Sequence, residues 1–238
     1  MFETRIKRMQ RLVLLGVCAL LAACGGSHSS EEAPPTPQSD SVGPDPVNVD
    51  VWLERLEVGS RELYSARNDV TAALHIEKGE RIADIGAGTG LYTLLFAEKA
   101  GANGVVYAVD IAPRFLTLIN QRADDLGYGN IVSVLNRQDS VALPPQSIDI
   151  AFICDTYHYF GDPAAMMKTV FRALRPGGAL YIVDYNLADG ATPPPDKRQV
   201  RFGEKGVIAE VESFGFTDAQ DIAVPGLQDN YMVKFTRP

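Results

Sequence analysis

Ala83-Asp84-Ile85-Gly86-Ala87-Gly88-Thr89-Gly90 joins a short apolar run at 82–85 to an apolar-periodic stretch at 91–99. An apolar run of that length followed by glycines and then by a helical period reads as strand, tight turn and helix. Glycines in such a turn permit a sharp reversal and let backbone come close to a ligand, because no Cβ intervenes. The spacing is G-x-G-x-G, with the third glycine one residue earlier than in the G-x-G-x-x-G fingerprint of dinucleotide sites. An aspartate stands two residues before the first glycine.

Outward from this turn the same alternation continues. A second apolar run at 105–109 ends at Asp110 and precedes a helix expected over 113–126. Further strands are expected at 130–135, 148–154 and 179–184, with a helix at 163–174 stopped by Arg175-Pro176-Gly177-Gly178. A Pro-rich loop at 191–196, a helix near 204–214 and two strands near 216–224 and 230–235 complete the chain. Before the turn, residues 51–75 read as helical, with Gly59 as a break. Strand–helix alternation with continuously apolar strands implies an α/β, doubly wound sheet, mostly parallel and covered by helices on both faces. The short link between the last two strands suits an antiparallel pair at one edge.

Asp110 lies 20 residues beyond Gly90 at the end of the second strand, where a carboxylate can accept from both hydroxyls of a ribose. It can equally cap the helix that follows. Ile111 would offer an apolar face to a base, and Asp139, after the third strand, could accept from a base amino group or be a solvated loop residue.

The chain resembles the class I S-adenosylmethionine-dependent methyltransferases. The resemblance rests on the D-x-G-x-G-x-G run at 84–90, VYAVDIAP at 106–113, SIDIAFICDTYHYF at 147–160 and LRPGGALYIVDY at 174–185. It covers nearly all of the body and implies seven strands in the order 3-2-1-4-5-7-6 with the last strand antiparallel. It further implies S-adenosylmethionine as cofactor. Asp84 and the backbone of Gly86, Gly88 and Gly90 would flank its methionine portion, Asp110 and Ile111 its ribose and adenine, and Asp139 the adenine edge.

Methyl transfer from a sulfonium is a direct displacement, so alignment supplies most of the catalysis and a base is needed only for a protonated nucleophile. Asp155, Tyr157 and His158 follow the fourth strand, at the carboxyl end of the sheet next to the switch point where ligands bind. His158 could take a proton near neutral pH, Asp155 could orient donor or acceptor, and the aromatics could wall a pocket or simply pack the loop. Tyr64 and Arg67 could fold over the site as a lid or lie on an amphipathic surface. Asp155, Asp184 and Asn186 resemble the magnesium ligands of catechol-type O-methyltransferases, but a closing aspartate also occurs in metal-independent relatives, and no metal is assigned.

The N-terminus reads as a delivery system. Arg5, Lys7, Arg8 and Arg11 precede a twelve-residue uncharged run at 12–23, too short to span a bilayer. The run ends Leu21-Ala22-Ala23-Cys24, which resembles the lipobox of bacterial lipoproteins. The resemblance implies a signal peptide at 1–23 and a lipid anchor at Cys24. It also implies a place in the cell envelope on the periplasmic side, with Gly25 favouring the outer membrane. Residues 24–50, with five prolines and no Lys or Arg, read as a tether, leaving 51–238 as the folded domain.

Across 238 residues, 46% hydrophobic and 22% charged with mean hydropathy −0.04, composition excludes a multi-span membrane protein and a wholly disordered chain. The net charge of −8 becomes −6 on the body, 24 acidic against 18 basic, which argues against nucleic acid as acceptor. Cys154 is the one cysteine of the body, so no disulfide forms within it. The function expected is methyl transfer to a small-molecule or envelope acceptor. Its rival is a non-catalytic envelope lipoprotein that keeps the fold for ligand binding. A nicotinamide oxidoreductase is disfavoured by the glycine spacing.

Overall fold

Apolar runs without alternation need cover on both faces, and the computed structural model, which describes residues 47–238, shows them receiving it. Strands β1 (Arg81–Ile85) and β4 (Ile148–Cys154) lie side by side at the centre of a seven-stranded sheet, and Ile82, Ala83, Ile85, Ala151, Phe152 and Ile153 are all fully buried. The order is β3-β2-β1-β4-β5-β7-β6, from β2 (Val105–Asp110), β3 (Ile131–Leu135), β5 (Leu174–Tyr185), β6 (Thr217–Asp221) and β7 (Asn230–Thr236). Strand β7 runs antiparallel to β5 and β6, and the other pairings are parallel. Order and direction are those expected.

Three helices precede the sheet, α1 (Val49–Leu56), α2 (Glu62–Ser65) and α3 (Arg67–Ala73). The body therefore begins slightly before residue 51: Asn48 caps α1, its Oδ1 accepting from the Asp50 and Val51 amides. The signal segment, Cys24 and most of the tether lie outside the described residues.

Helix α4 (Leu91–Ala100) is buried on nearly every side, wedged between the sheet and α3. Helix α5 (Pro113–Leu126) is amphipathic, starts on Pro113 and stops at Gly127, whose φ is +72°. It packs on β2 and β3 and carries α1 on its outer side, where Trp52 meets Phe115 edge to face. Helices α6 (Pro163–Ala173) and α7 (Glu204–Ser213) send Met166, Met167, Val170, Val207 and Val211 into the main core with Phe216 and Phe235.

One boundary differs from expectation. Strand β5 starts at Leu174, directly after α6, and Arg175–Gly178 is a bulge in it and not a stop before it. Two steps along β4, from Ile148 to Ile150, face five along β5, from Leu174 to Ala179. Gly177 takes φ +76° and hydrogen-bonds to the Arg237 carbonyl, while a Cβ on Gly178 would lie 3.0 Å from the Asp149 carbonyl. Asp149 holds this end of the sheet by pairing with Arg81 and Arg175. Burial raises its carboxyl pKa, but the Arg81 hydrogen bonds and the two guanidinium charges outweigh that and hold it below its ordinary value.

Candidate functional site

The turn after β1 places Gly86, Gly88 and Gly90 all at positive φ, +76°, +53° and +82°. Only glycine takes three such positions in five residues without strain. The Gly86 and Ala87 amides donate to the Val109 carbonyl at 2.8 and 3.1 Å, so the turn hangs from the end of β2. At Gly90 a Cβ would stand 2.6 Å from Ile119 Cγ1, so this glycine also lets α5 approach.

Asp110 locks the turn from the neighbouring strand. Its Oδ2 accepts from the Gly88 amide at 2.8 Å and its Oδ1 from the Ala112 amide at 2.8 Å. One carboxylate thus grips both the glycine turn and the residue that leads into α5. Ile111 beside it is 38% exposed. Asp139 sits in an exposed turn bridged by Arg137 and Ser140, tied to this end of the sheet by the Asn136 amide donating to the Asp110 carbonyl. Asp84 is placed differently. It is 3% exposed, and its Oδ2 accepts from Thr93 Oγ1 at 2.5 Å. Burial pushes its pKa up to about 7, against the lowering effect of the Thr93 bond. Its carboxyl fastens α4 to β1 beneath the turn.

The loop after β4 forms the other wall. Asp155 takes φ +49°, and the Thr156 side chain fills the space where Gly86 lacks a Cβ. Asp155 Oδ2 lies 2.7 Å from Arg61 Nη2, and its Oδ1 lies 2.8 Å from Lys197 Nζ. Burial alone would raise this carboxyl's pKa, but Lys197 and Arg61, with His158, hold it below its ordinary value.

His158 is buried, with Nδ1 2.7 Å from Asp184 Oδ1 and its backbone N–H donating to Asp184 Oδ2 at 3.3 Å. A carboxylate only accepts, so Nδ1 donates to Asp184 and Nε2 is the ring nitrogen turned away from it. That Nε2 is buried without a partner among the described residues. The Tyr159 ring, 44% exposed, covers the imidazole at a centroid distance of 4.1 Å.

Tyr157 is a correction to the expected set. Its ring is 1% exposed among the core side chains, and its hydroxyl donates to Glu210 Oε2 at 2.6 Å. Burial and the Glu210 carboxylate raise its pKa further. It fastens the loop to α7, where Arg201 holds the same Glu210. Asp155, His158 and Asp184 have ligand atoms within 4.8 Å of one another, a spacing that could suit a metal ion. Both carboxylates are already matched, however, Asp155 by two cations and Asp184 by the imidazole N–H.

The mouth is covered by residues the sequence did not single out. Leu56 of α1 is the side chain nearest the open side of Gly88, with Cδ1 3.6 Å from where a Cβ would stand. Glu57 pairs with Arg122 of α5, whose Nη1 donates to the Thr89 carbonyl within the turn at 2.8 Å. Tyr64 and Arg67, read as a lid or as an amphipathic surface, stack on each other at 4.3 Å. Arg61, Leu56 and Glu57 instead make the contacts nearest the turn and the loop after β4. No local pattern marks these three, because their partners lie 32 to 94 residues away.

Residues 76–212 match the family described as "Methyltransferase domain". Among curated proteins the chain is similar to the ubiquinone/menaquinone biosynthesis C-methyltransferase of Pasteurella multocida, 27% identical over 112 residues (47% of this chain, 42% of that protein). It is also similar to that of Methylococcus capsulatus, 28% identical over 138 residues (58% and 55%). The demethylmenaquinone methyltransferase of Geobacillus kaustophilus is 28% identical over 112 residues (47% and 48%). The chain spans about half the length of these relatives. Among solved structures, a SAM-dependent methyltransferase from Aquifex aeolicus aligns at TM-score 0.66 and 22% identity, covering 79% of this chain and 97% of that one. A Haemonchus contortus phosphoethanolamine N-methyltransferase, solved with S-adenosyl-L-methionine, aligns at TM-score 0.54 and 20% identity (74% and 46%).

Proposed function

We infer that this chain, which belongs to the methyltransferase-domain family, binds S-adenosylmethionine at the glycine turn and transfers its methyl group to a small-molecule or envelope acceptor. The observation that carries this reading is the turn at residues 86–90 gripped by Asp110. Asp110 accepts from the Gly88 and Ala112 amides, which sets its carboxylate beside the turn, where the ribose hydroxyls would donate to it. Ile111 offers an apolar face to the adenine, Asp139 an acceptor at its edge, and the glycine backbone a surface without Cβ atoms for the methionine portion. The residues therefore fit this donor, which when bound supplies an electrophilic methyl group on a sulfonium.

The chain's own residues align the acceptor and relieve it of a proton. His158 receives that proton at Nε2, and Asp184 holds the ring in the tautomer that leaves Nε2 bare. Tyr159 walls the acceptor's side. Asp155, with Arg61 and Lys197, draws the N-terminal helices and the loop before α7 over the mouth, which excludes water from the reacting groups. The names of the curated relatives make a quinol the first acceptor to assay.

Residues 1–24 support a lipid-anchored place in the cell envelope. That compartment favours a second reading, a ligand-binding module without turnover, because S-adenosylmethionine is made in the cytoplasm. Calorimetric titration of the full chain with S-adenosylmethionine and its demethylated product tests the first reading. Binding of both, followed by methyl transfer to a quinol panel, is the expected result. Absence of binding to either overturns it, and binding without turnover favours the second reading.

A further inference from the structure

Beyond the donor site, a cleft of about 490 Å³ opens between the end of β5, the first turn of α7 and the link from β6 to β7. Asn186, Glu204, Asp221, Gln228, Asn230 and Tyr231 supply its polar lining. Two of these carry buried polar atoms without any partner among the described residues, Asn230 Oδ1 and the Tyr231 hydroxyl. Tyr231 is 5% exposed. A native chain seldom leaves such atoms unpaired, because a buried polar group without a partner loses its hydration uncompensated.

The orientation of Asn230 is decided by its neighbour. Glu62 Oε1 accepts from both its backbone N–H and its Nδ2, at 2.7 and 2.6 Å. Turning the amide over would set its oxygen against a carboxylate, so the orphan atom is the carbonyl. Glu204 and Asp221 add two carboxylates that, among the described residues, neither pair with a cation nor accept a hydrogen bond. They lie close enough to repel: burial raises the Glu204 pKa, and the Asp221 charge raises it further against the opposing effect of Lys205. Tyr231, in turn, stands in the field of Asp184, Glu204 and Glu210.

The unpaired groups thus share one property. The Asn230 carbonyl and the two carboxylates can only accept, and the Tyr231 hydroxyl can accept. Their complement is a compact positive charge with several N–H donors. We propose that this cleft binds a protonated primary amine, with Asn230 Oδ1 and the Tyr231 hydroxyl taking two of its protons and Glu204 and Asp221 balancing its charge. The site stands apart from the donor turn and does not depend on methyl transfer.

Titrating the full chain with 1,4-diaminobutane, n-butylamine and n-butanol, followed by amide NMR shifts and calorimetry, tests this. Both amines should bind and shift residues 221–232, and n-butanol should not. Glu204→Gln combined with Asp221→Asn should weaken amine binding about tenfold or more, the loss of charge-assisted contacts. Tyr231→Phe, which keeps the ring in the core, should weaken it several-fold. No amine binding at millimolar concentration, equal binding of n-butanol, or full affinity in the double variant would each overturn the proposal. Should the double variant fail to fold, Tyr231→Phe alone decides, and unchanged affinity there removes the hydroxyl from the site.

Discussion

The imidazole Nδ1 of His158 lies 2.7 Å from Asp184 Oδ1, and both side chains are only 3% exposed. Two residues 26 positions apart in sequence form one buried unit whose remaining nitrogen, Nε2, has no partner among the described residues. In the proposed function the carboxylate would contribute orientation and the imidazole chemistry, so the two are expected to fail differently when altered.

Asp184→Asn keeps the size of the side chain but can offer Nδ2 to His158, favouring the tautomer with the proton on Nε2. Methyl transfer should then fall by about 10²–10⁴-fold, the range for general acid–base catalysis. Affinity for S-adenosylmethionine should stay unchanged. Raising the pH should recover little of the lost rate, because the defect is a misplaced proton. A variant with full kcat would remove Asp184 as the positioning residue.

Asp110→Ala removes the acceptor for the Gly88 and Ala112 amides together with the contact expected to the ribose. Binding of S-adenosylmethionine should weaken by about 1–3 kcal/mol, the scale for hydrogen bonds to a charged group. Calorimetry reads this directly. Unchanged affinity would exclude Asp110 from the donor site.

The reach of the sequence can be judged from these pairs. Gly86, Gly88, Gly90 and Asp110 are legible because a strand–turn–helix unit keeps their spacing local, and sheet order follows once strands and helices alternate. Asp84 is legible as a motif residue but not in its role, since the pattern cannot say whether the carboxyl faces a ligand or Thr93. Tyr157 misleads for a similar reason: three aromatics in close succession do not reveal which one the loop turns into the core. Arg61 and Lys197 are invisible, because their shared partner Asp155 lies 94 and 42 residues away and nothing in their surroundings marks them.

Asp155 should make the closed mouth sensitive to acid. Its pKa in the folded chain lies below its ordinary value. The stabilisation is therefore complete above the unfolded pKa, near 3.9, and is lost as pH falls through the folded value. Thermal unfolding followed from pH 7 to pH 3 should show a steeper decline for the native chain than for Asp155→Asn, which lacks the ion pairs throughout. Parallel curves would mean that the Arg61 and Lys197 contacts add nothing to stability.

Asp84 carries the opposite sign. Its pKa is pushed up to about 7, so between the unfolded value near 3.9 and pH 7 the folded chain holds the extra proton. Stability then falls as pH rises across that window and levels off above it. Asp84→Asn keeps an acceptor for Thr93 Oγ1 and removes the charge, so it should match the native chain near pH 4. By pH 7 it should be more stable by on the order of a few kcal/mol, since a tenfold change in acidity corresponds to about 1.4 kcal/mol. Denaturant unfolding at both values measures the difference. A variant less stable than the native chain at pH 7 would show that the Thr93 bond needs an ionised Asp84, and that burial does not govern this carboxyl.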